Sequence, residues 1–270
     1  MLLIGFQGAG KTWLLEQLRH TYLNGRVPSN RIAPTIGQNV LDLPYQKCIL
    51  HFWDLGGAYT MRKLWDQYLP DAHAIVWVLD ALSWAQDAPV QDEAGATYRE
   101  AVRRSLFPIA KEAAFRGQAV VVLINKIDIL DAEHQQEEAQ PGHIQEHVES
   151  YVLKEWAHYA DASDDVVTPW WTFHCISAMA AYVWPSNNQD WARRGTRGHI
   201  YDGQRLQTRI MNILALHIPL IHWSIIQNND MNLVKHNIAL FADQQFDTPH
   251  AKGERHGEHA PVDLVVLVQQ

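Results

Sequence analysis

Apolar and polar positions along this chain fall into two regimes. Continuous apolar runs occur at 74–79 and 119–124, the pattern of strands buried on both faces of a parallel sheet. A shorter apolar stub at 1–4 runs into a glycine-rich turn, and a stretch of helical period follows at 11–22. Residues 39–43 and 47–53 look like two strands, with Pro44 between them as the turn of a hairpin. Helical period returns at 96–114, where Pro108 predicts an interruption, and again at 143–160 and 204–217. Residues 170–176 predict a last strand. Strands and helices in alternation define one doubly wound α/β domain, a mostly parallel sheet with helices on both faces, reaching to about residue 220.

Three segments break this rhythm. Residues 131–142 are polar and acidic, and 184–199 are polar with Arg193, Arg194 and Arg197. The stretch 221–270 is a C-terminal extension without clear period until an apolar run at 264–268. All three are expected to be surface loops or poorly ordered segments. Trp170, Trp171 and Trp184 border inserted segments and are expected to pin them down.

Charge and cysteine content narrow the class. With 22 Lys and Arg against 30 Asp and Glu, the 270-residue chain carries a net charge of −8, which argues against a nucleic-acid partner. Two cysteines, Cys48 and Cys175, form no disulfide framework and suit a reducing compartment, as buried strand residues. No apolar run reaches the ~18 residues of a membrane span; the nearest, 210–226, is broken by Asn212, His217, Pro219 and His222. No secretory signal, myristoylation pattern (residue 2 is Leu2) or prenylation cysteine is visible. His250, His256 and His259 cluster near the end without the spacing of a metal site.

The first chemical signal is Gly5-Phe6-Gln7-Gly8-Ala9-Gly10-Lys11-Thr12. It is a full GxxxxGK[ST] string between a short strand and a helix. Backbone amides of Gly8 through Thr12 would form a concave anion nest at a helix N-terminus. Lys11 would reach β- and γ-phosphate oxygens, and the Thr12 hydroxyl would ligate Mg²⁺. That string alone leaves the base, and kinase against GTPase, open.

Asn125-Lys126-Ile127-Asp128 follows the buried run ending at Ile124, at a strand end that opens onto a ligand crevice. Asp128 can accept two hydrogen bonds from guanine N1–H and its exocyclic amine, a donor pair adenine lacks. Asn125 would hold the loop and the other edge of the base, and the Lys126 stem would cover the ring. Cys175-Ile176-Ser177-Ala178 fits a further base loop, with the Ala178 amide on the guanine oxygen. Between the two motifs, Ala33-Pro34-Thr35-Ile36-Gly37 offers a second hydroxyl, Thr35, for Mg²⁺. Trp53-Asp54-Leu55-Gly56-Gly57 offers Asp54 for a metal-bound water and the Gly57 amide for a γ-phosphate. Two loops ordered by one phosphate and its metal make a γ-phosphate sensor.

On these strings the chain resembles the ADP-ribosylation factor (Arf) family of small GTPases. Leu14-Leu15-Glu16-Gln17, Phe52-Trp53-Asp54-Leu55-Gly56-Gly57 and Leu64-Trp65-Asp66-Gln67-Tyr68 look most like its Arf-related subfamily. The likeness runs from Met1 to about Asp128 and resumes around 173–178. It implies the P-loop small-GTPase fold over 1–220, GTP or GDP with Mg²⁺ as cofactors, and a monomeric cytoplasmic switch working peripherally at Golgi and endosomal membranes in vesicle traffic. Effector, exchange and activating proteins would meet it through Thr35, Gln38, Trp53, Trp65 and Tyr68; core packing is the competing role for Trp53 and Tyr68.

The chain departs from the family pattern in four places. The family's water-orienting Gln is Ala58 here, and a methyl cannot hold a water, so very slow intrinsic hydrolysis is expected. Gln7 stands where an acidic residue is usual, and Gln38 where an apolar or aromatic one is. The membrane-inserting helix ahead of the first strand has no counterpart; either the start is truncated or attachment comes from elsewhere, with 210–226 as the candidate against a core-packed last helix. Two functions remain in competition, a weakly hydrolysing switch and a GTP-locked pseudo-GTPase scaffold, and Ala58 divides them.

Overall fold

The computed structural model describes residues 1–183, apart from 27, 29–30, 46–47, 91–92, 94, 134–140, 162–166 and 180–181. The expectations for 184–199, 204–217, 210–226 and 221–270, with Trp184 and the histidines of the tail, lie outside the described residues.

Seven strands form one sheet: β1 (Leu2–Ile4), β2 (Gln38–Tyr45), β3 (Cys48–Leu55), β4 (Ala74–Asp80), β5 (Ala119–Asn125), β6 (Trp170–Ser177) and β7 (Tyr182–Val183). Their order is β2-β3-β1-β4-β5-β6-β7. The four inner pairings are parallel, and the flanking pairs β2–β3 and β6–β7 are antiparallel. Between them run α1 (Lys11–Leu23), a 3₁₀ turn at Tyr59–Leu64, α2 (Trp65–Tyr68), α3 (Ala81–Gln86), α4 (Tyr98–Phe115), α5 (Ile127–Glu133) and α6 (Pro141–Asp161). This is the doubly wound α/β architecture.

Every residue of β4 and β5 is buried, which explains their unbroken apolar runs. The side-chain period of two divides them between two cores. Ile75, Trp77, Leu79, Val120, Val122 and Ile124 pack with α4 and α6 on one face. Val76, Val78, Val121 and Leu123 join Leu14, Leu15 and Leu18 of α1 on the other. Trp171 meets Trp156 of α6 at 5.6 Å between ring centroids, so it pins α6 to β6. Cys175 is buried.

Two prolines behave differently from their local signal. Pro44 is no turn: it lies within β2, opposite Ile49. β2 is a sheet edge, where a missing backbone donor is tolerated. Pro108 does not interrupt α4, which runs through it. The lost hydrogen bond and ring clash cost about 3 kcal/mol. Burial of Leu106, Phe107 and Ile109 on either side, at about 1.5–3 kcal/mol each, outweighs that. The acidic segment 131–142 is not all loop either, since α5 continues to Glu133 and α6 begins at Pro141, a favoured first helical position for proline. β7 adds a strand after 170–176, pairing Val183 with Ile176.

Candidate nucleotide-binding site

The parallel strands β1, β4, β5 and β6 end at one rim of the sheet, and the loops leaving them converge there. The glycine-rich loop turns from β1 into α1. Gly10, the residue before α1, has φ 95°, and a Cβ on it would lie 2.2 Å from Asn125 Nδ2. Only glycine fits that contact. Asn125 then joins three loops: its Nδ2 donates to Ala9 O at 2.8 Å, and its Oδ1 accepts from Ala178 N at 2.8 Å. Both ends of the Asn125 amide are therefore engaged in bracing loops, and the one amide hydrogen of Ala178 goes to Asn125.

The second cluster is built of oxygens. Thr12 Oγ1 donates to Asp54 Oδ2 at 2.7 Å and lies 2.8 Å from Thr35 Oγ1, while Asn39 Nδ2 donates to Asp54 Oδ2 at 3.2 Å. Asp54 is wholly buried, and its Oδ1 has no hydrogen-bond partner. Burial pushes its carboxyl above the usual range, opposed by the Thr12 hydrogen bond and the Lys11 charge. Two hydroxyls beside a carboxylate with an unmet oxygen suit a hard divalent cation such as Mg²⁺. Thr12 and Thr35 would ligate it, with Asp54 acting through a water.

Lys11 sits beside that cluster, 5% exposed, with Nζ donating to Gly5 O at 2.8 Å and Phe6 O at 3.0 Å. Burial pulls its ammonium down to about 8; Asp54 opposes the shift and Arg62 adds to it. Gly57 rests against this loop so closely that a Cβ would lie 2.4 Å from Gly5 O and 2.6 Å from both Gln7 N and Lys11 Nζ. The neighbouring Gly56 donates its N–H to Gly37 O at 2.9 Å, joining the Thr35 and Gly57 loops. Arg62 adds a clasp, with Nε on Gly57 O at 3.1 Å, an ion pair to Glu93, and its guanidinium 4.2 Å above the Phe6 ring.

These groups surround a cavity of about 360 Å³, within the usual range for small-molecule sites. Of the residues the sequence singled out, Gln7, Gly8, Gly10, Lys11, Thr12, Thr35, Gly57, Ala58, Asn125, Lys126, Asp128 and Ala178 line it. Gly5, Ala9, Asp54 and Ser177 do not line it; the first three hold Lys11, Asn125 and Thr12, which do, and Ser177 is buried. Sequence reasoning missed Trp13, Ile32, Ala33, Pro34, Ile129 and Met179, which also line it. Most adjoin a recognised motif residue, and that adjacency was the available signal. Ala58 opens the 3₁₀ turn at Tyr59–Leu64 and presents only a methyl.

The expected partner surface divides. Gln38 is exposed, and Trp53 and Tyr68 are partly exposed with ring centroids 5.7 Å apart. Trp65 does not belong with them. It is 2% exposed, edge-on to Trp77 at 5.6 Å, and its indole N–H donates to Gly56 O at 3.1 Å. Apolar area and that hydrogen bond both hold it inward, as a brace under the Gly56 loop. Among the described residues, no cluster of three His, Cys, Asp or Glu could hold a metal, and no helix is long and apolar enough to cross a membrane.

A parallel sheet with its glycine-rich loop, oxygen cluster and base loops at one rim is the arrangement of a P-loop protein of the small-GTPase class. The chain belongs to the ADP-ribosylation factor family, whose family model matches residues 1–157. It is 33% identical over 132 residues to ADP-ribosylation factor-like protein 3 of Saccharomyces cerevisiae, a match spanning 48% of this chain and 61% of that protein. To human ADP-ribosylation factor-related protein 1 it is 30% identical over 48% of this chain and 59% of that one. To ADP-ribosylation factor-like protein 2 of Drosophila melanogaster it is 29% identical over 66% and 77%. The chain thus spans about three fifths of the length of the first two relatives. Among solved structures, the Arl6 BBS3 small GTPase of Trypanosoma brucei with bound GppNp aligns at 17% identity and a TM-score of 0.45, covering 77% of this chain and 94% of that one.

Proposed function

We propose that this chain binds GTP and GDP with Mg²⁺ and acts as a slowly hydrolysing switch that recruits effectors in Golgi and endosomal vesicle traffic. The observation that supports it most is the meeting of Thr12, Thr35 and Asp54 within 2.7–2.8 Å beside Lys11 and Gly57. Those residues come from three segments far apart in sequence, the start of α1, the Thr35 loop and the end of β3 with the loop after it, and a phosphate–metal group gives them a common task. Asp128, placed on the cavity wall, would select guanine. Mg²⁺ would neutralise charge on the β- and γ-phosphates, while Lys11 and the loop amides hold the phosphates in place. Gln38, Trp53 and Tyr68 would meet effectors, with Trp65 acting from beneath. Regulators would bind the same two loops.

Ala58 favours a second reading, a GTP-locked scaffold that signals by binding alone. One experiment separates them: load the full chain with GTP and Mg²⁺ and follow the nucleotide through a single turnover. Slow conversion to GDP that Ala58→Gln accelerates supports the switch. Persistent GTP in both proteins supports the scaffold, and failure of the chain to bind GTP refutes both.

A further inference from the structure

Asp80 closes β4 opposite Asn125, the last residue of β5, and is 8% exposed. Its two carboxylate oxygens have separate tasks. Oδ1 caps α3, accepting from Leu82 N at 3.0 Å and Ser83 N at 3.2 Å. Oδ2 meets Lys126 Nζ at 2.5 Å. The backbone of Asp80 is also fixed: its N–H donates to Tyr98 Oη at 2.9 Å, and the Tyr98 ring packs edge-on to Phe6 of the glycine-rich loop at 5.4 Å between centroids. The carboxylate is thus held on a rigid base.

Lys126 is the partner with the longer side chain. It leaves β5 at φ 69°, a left-handed conformation uncommon for a non-glycine residue, and it lines the cavity between Asn125 and Asp128. A lysine stem has many rotamers, and a stem free to sample them makes a poor wall for a flat ring. Anchoring the ammonium at Asp80 removes that freedom.

We infer that Asp80 is a positioning residue for base binding: its Oδ2 draws out Lys126 so that the methylene stem forms one face of the base pocket. This rests on the guanine-nucleotide reading above. It goes beyond that reading by giving a helix-capping carboxylate, 46 residues from Lys126 in sequence, a role in nucleotide retention.

Asp80→Asn tests it, because Asn caps a helix as well as Asp while losing the charge that holds Lys126. In the full chain, dissociation of a fluorescent GDP analogue is expected to quicken about tenfold, the lower end of what losing a charged hydrogen bond costs. The second arm is Lys126→Met, which keeps an apolar stem. If Asp80 acts through Lys126, adding Asp80→Asn to Lys126→Met leaves the off-rate unchanged. Full multiplication of the two effects, or an unchanged off-rate in Asp80→Asn alone, overturns the inference while the nucleotide reading stands. No binding of the analogue by the wild-type chain overturns both.

Discussion

Replacing Gly57 with alanine adds one methyl where the glycine-rich loop leaves no room. The new Cβ would lie 2.4 Å from Gly5 O, 2.6 Å from Gln7 N and 2.6 Å from Lys11 Nζ, against 3.4 Å and beyond for ordinary contact. Two of the three neighbours are backbone atoms, so relief must come from the Gly57 loop retreating by about 1 Å. Overpacking of this kind costs about 1–3 kcal/mol, or about 5- to 150-fold in an equilibrium. That cost applies to the closed arrangement, which a γ-phosphate would require and GDP would not. Gly57→Ala is therefore expected to weaken binding of a non-hydrolysable GTP analogue by about 5- to 150-fold while leaving GDP affinity within experimental error. Equilibrium titration of both nucleotides with excess Mg²⁺ measures the ratio directly. Equal weakening for both, or none for either, refutes the reasoning.

Lys11 gives a pH test. Burial lowers its ammonium to about 8, so the free protein loses this cation as pH rises through that value. A bound phosphate favours the charged form, so nucleotide affinity should fall by about tenfold per pH unit above about 8. The nucleotide-free fold responds oppositely: its Lys11 is depressed below the ordinary value of 10.5, so this group adds stability as pH climbs from about 8 towards 10.5. A flat GDP affinity between pH 7 and 9 would contradict the assignment. Far from the site, Phe107 is 1% exposed and sits edge-on to Trp156 and Tyr159 at 5.5 Å. Phe107→Ala should cost about 3–5 kcal/mol in chemical denaturation without altering nucleotide selectivity, and a loss under 1 kcal/mol would show that the α4–α6 contact is looser than described.

The α/β alternation was legible because β4 and β5 are buried on both faces, so each announces itself locally. The glycine-rich loop and the Asn125–Asp128 string were legible because the phosphate and guanine proposed for them would impose residue types at fixed spacing. What escaped depended on neighbours far off in sequence. Pro44 and Pro108 are breakers by local rule, but an edge strand tolerates the first and a buried helix face overrides the second. Trp65 looked like a contact surface until Trp77 and Gly56 drew it inward. Asp80 carries no local signal, and the register of β4 against β5 brings it beside Asn125 and so to Lys126.

The two ends of the cavity are fastened differently. At one end, the Asn125 amide holds Ala9 by its Nδ2 and Ala178 by its Oδ1, so a single side chain secures both loops. At the other end, the holds on the Thr35 and Gly57 loops are spread over several residues: Thr12 on Thr35, Gly56 on Gly37, and Arg62 on Gly57. Such contacts can open singly, in succession. One end hangs on a single residue and the other on several independent ones. The loss of Asn125 alone would therefore loosen two loops at once, whereas the far end would yield one contact at a time.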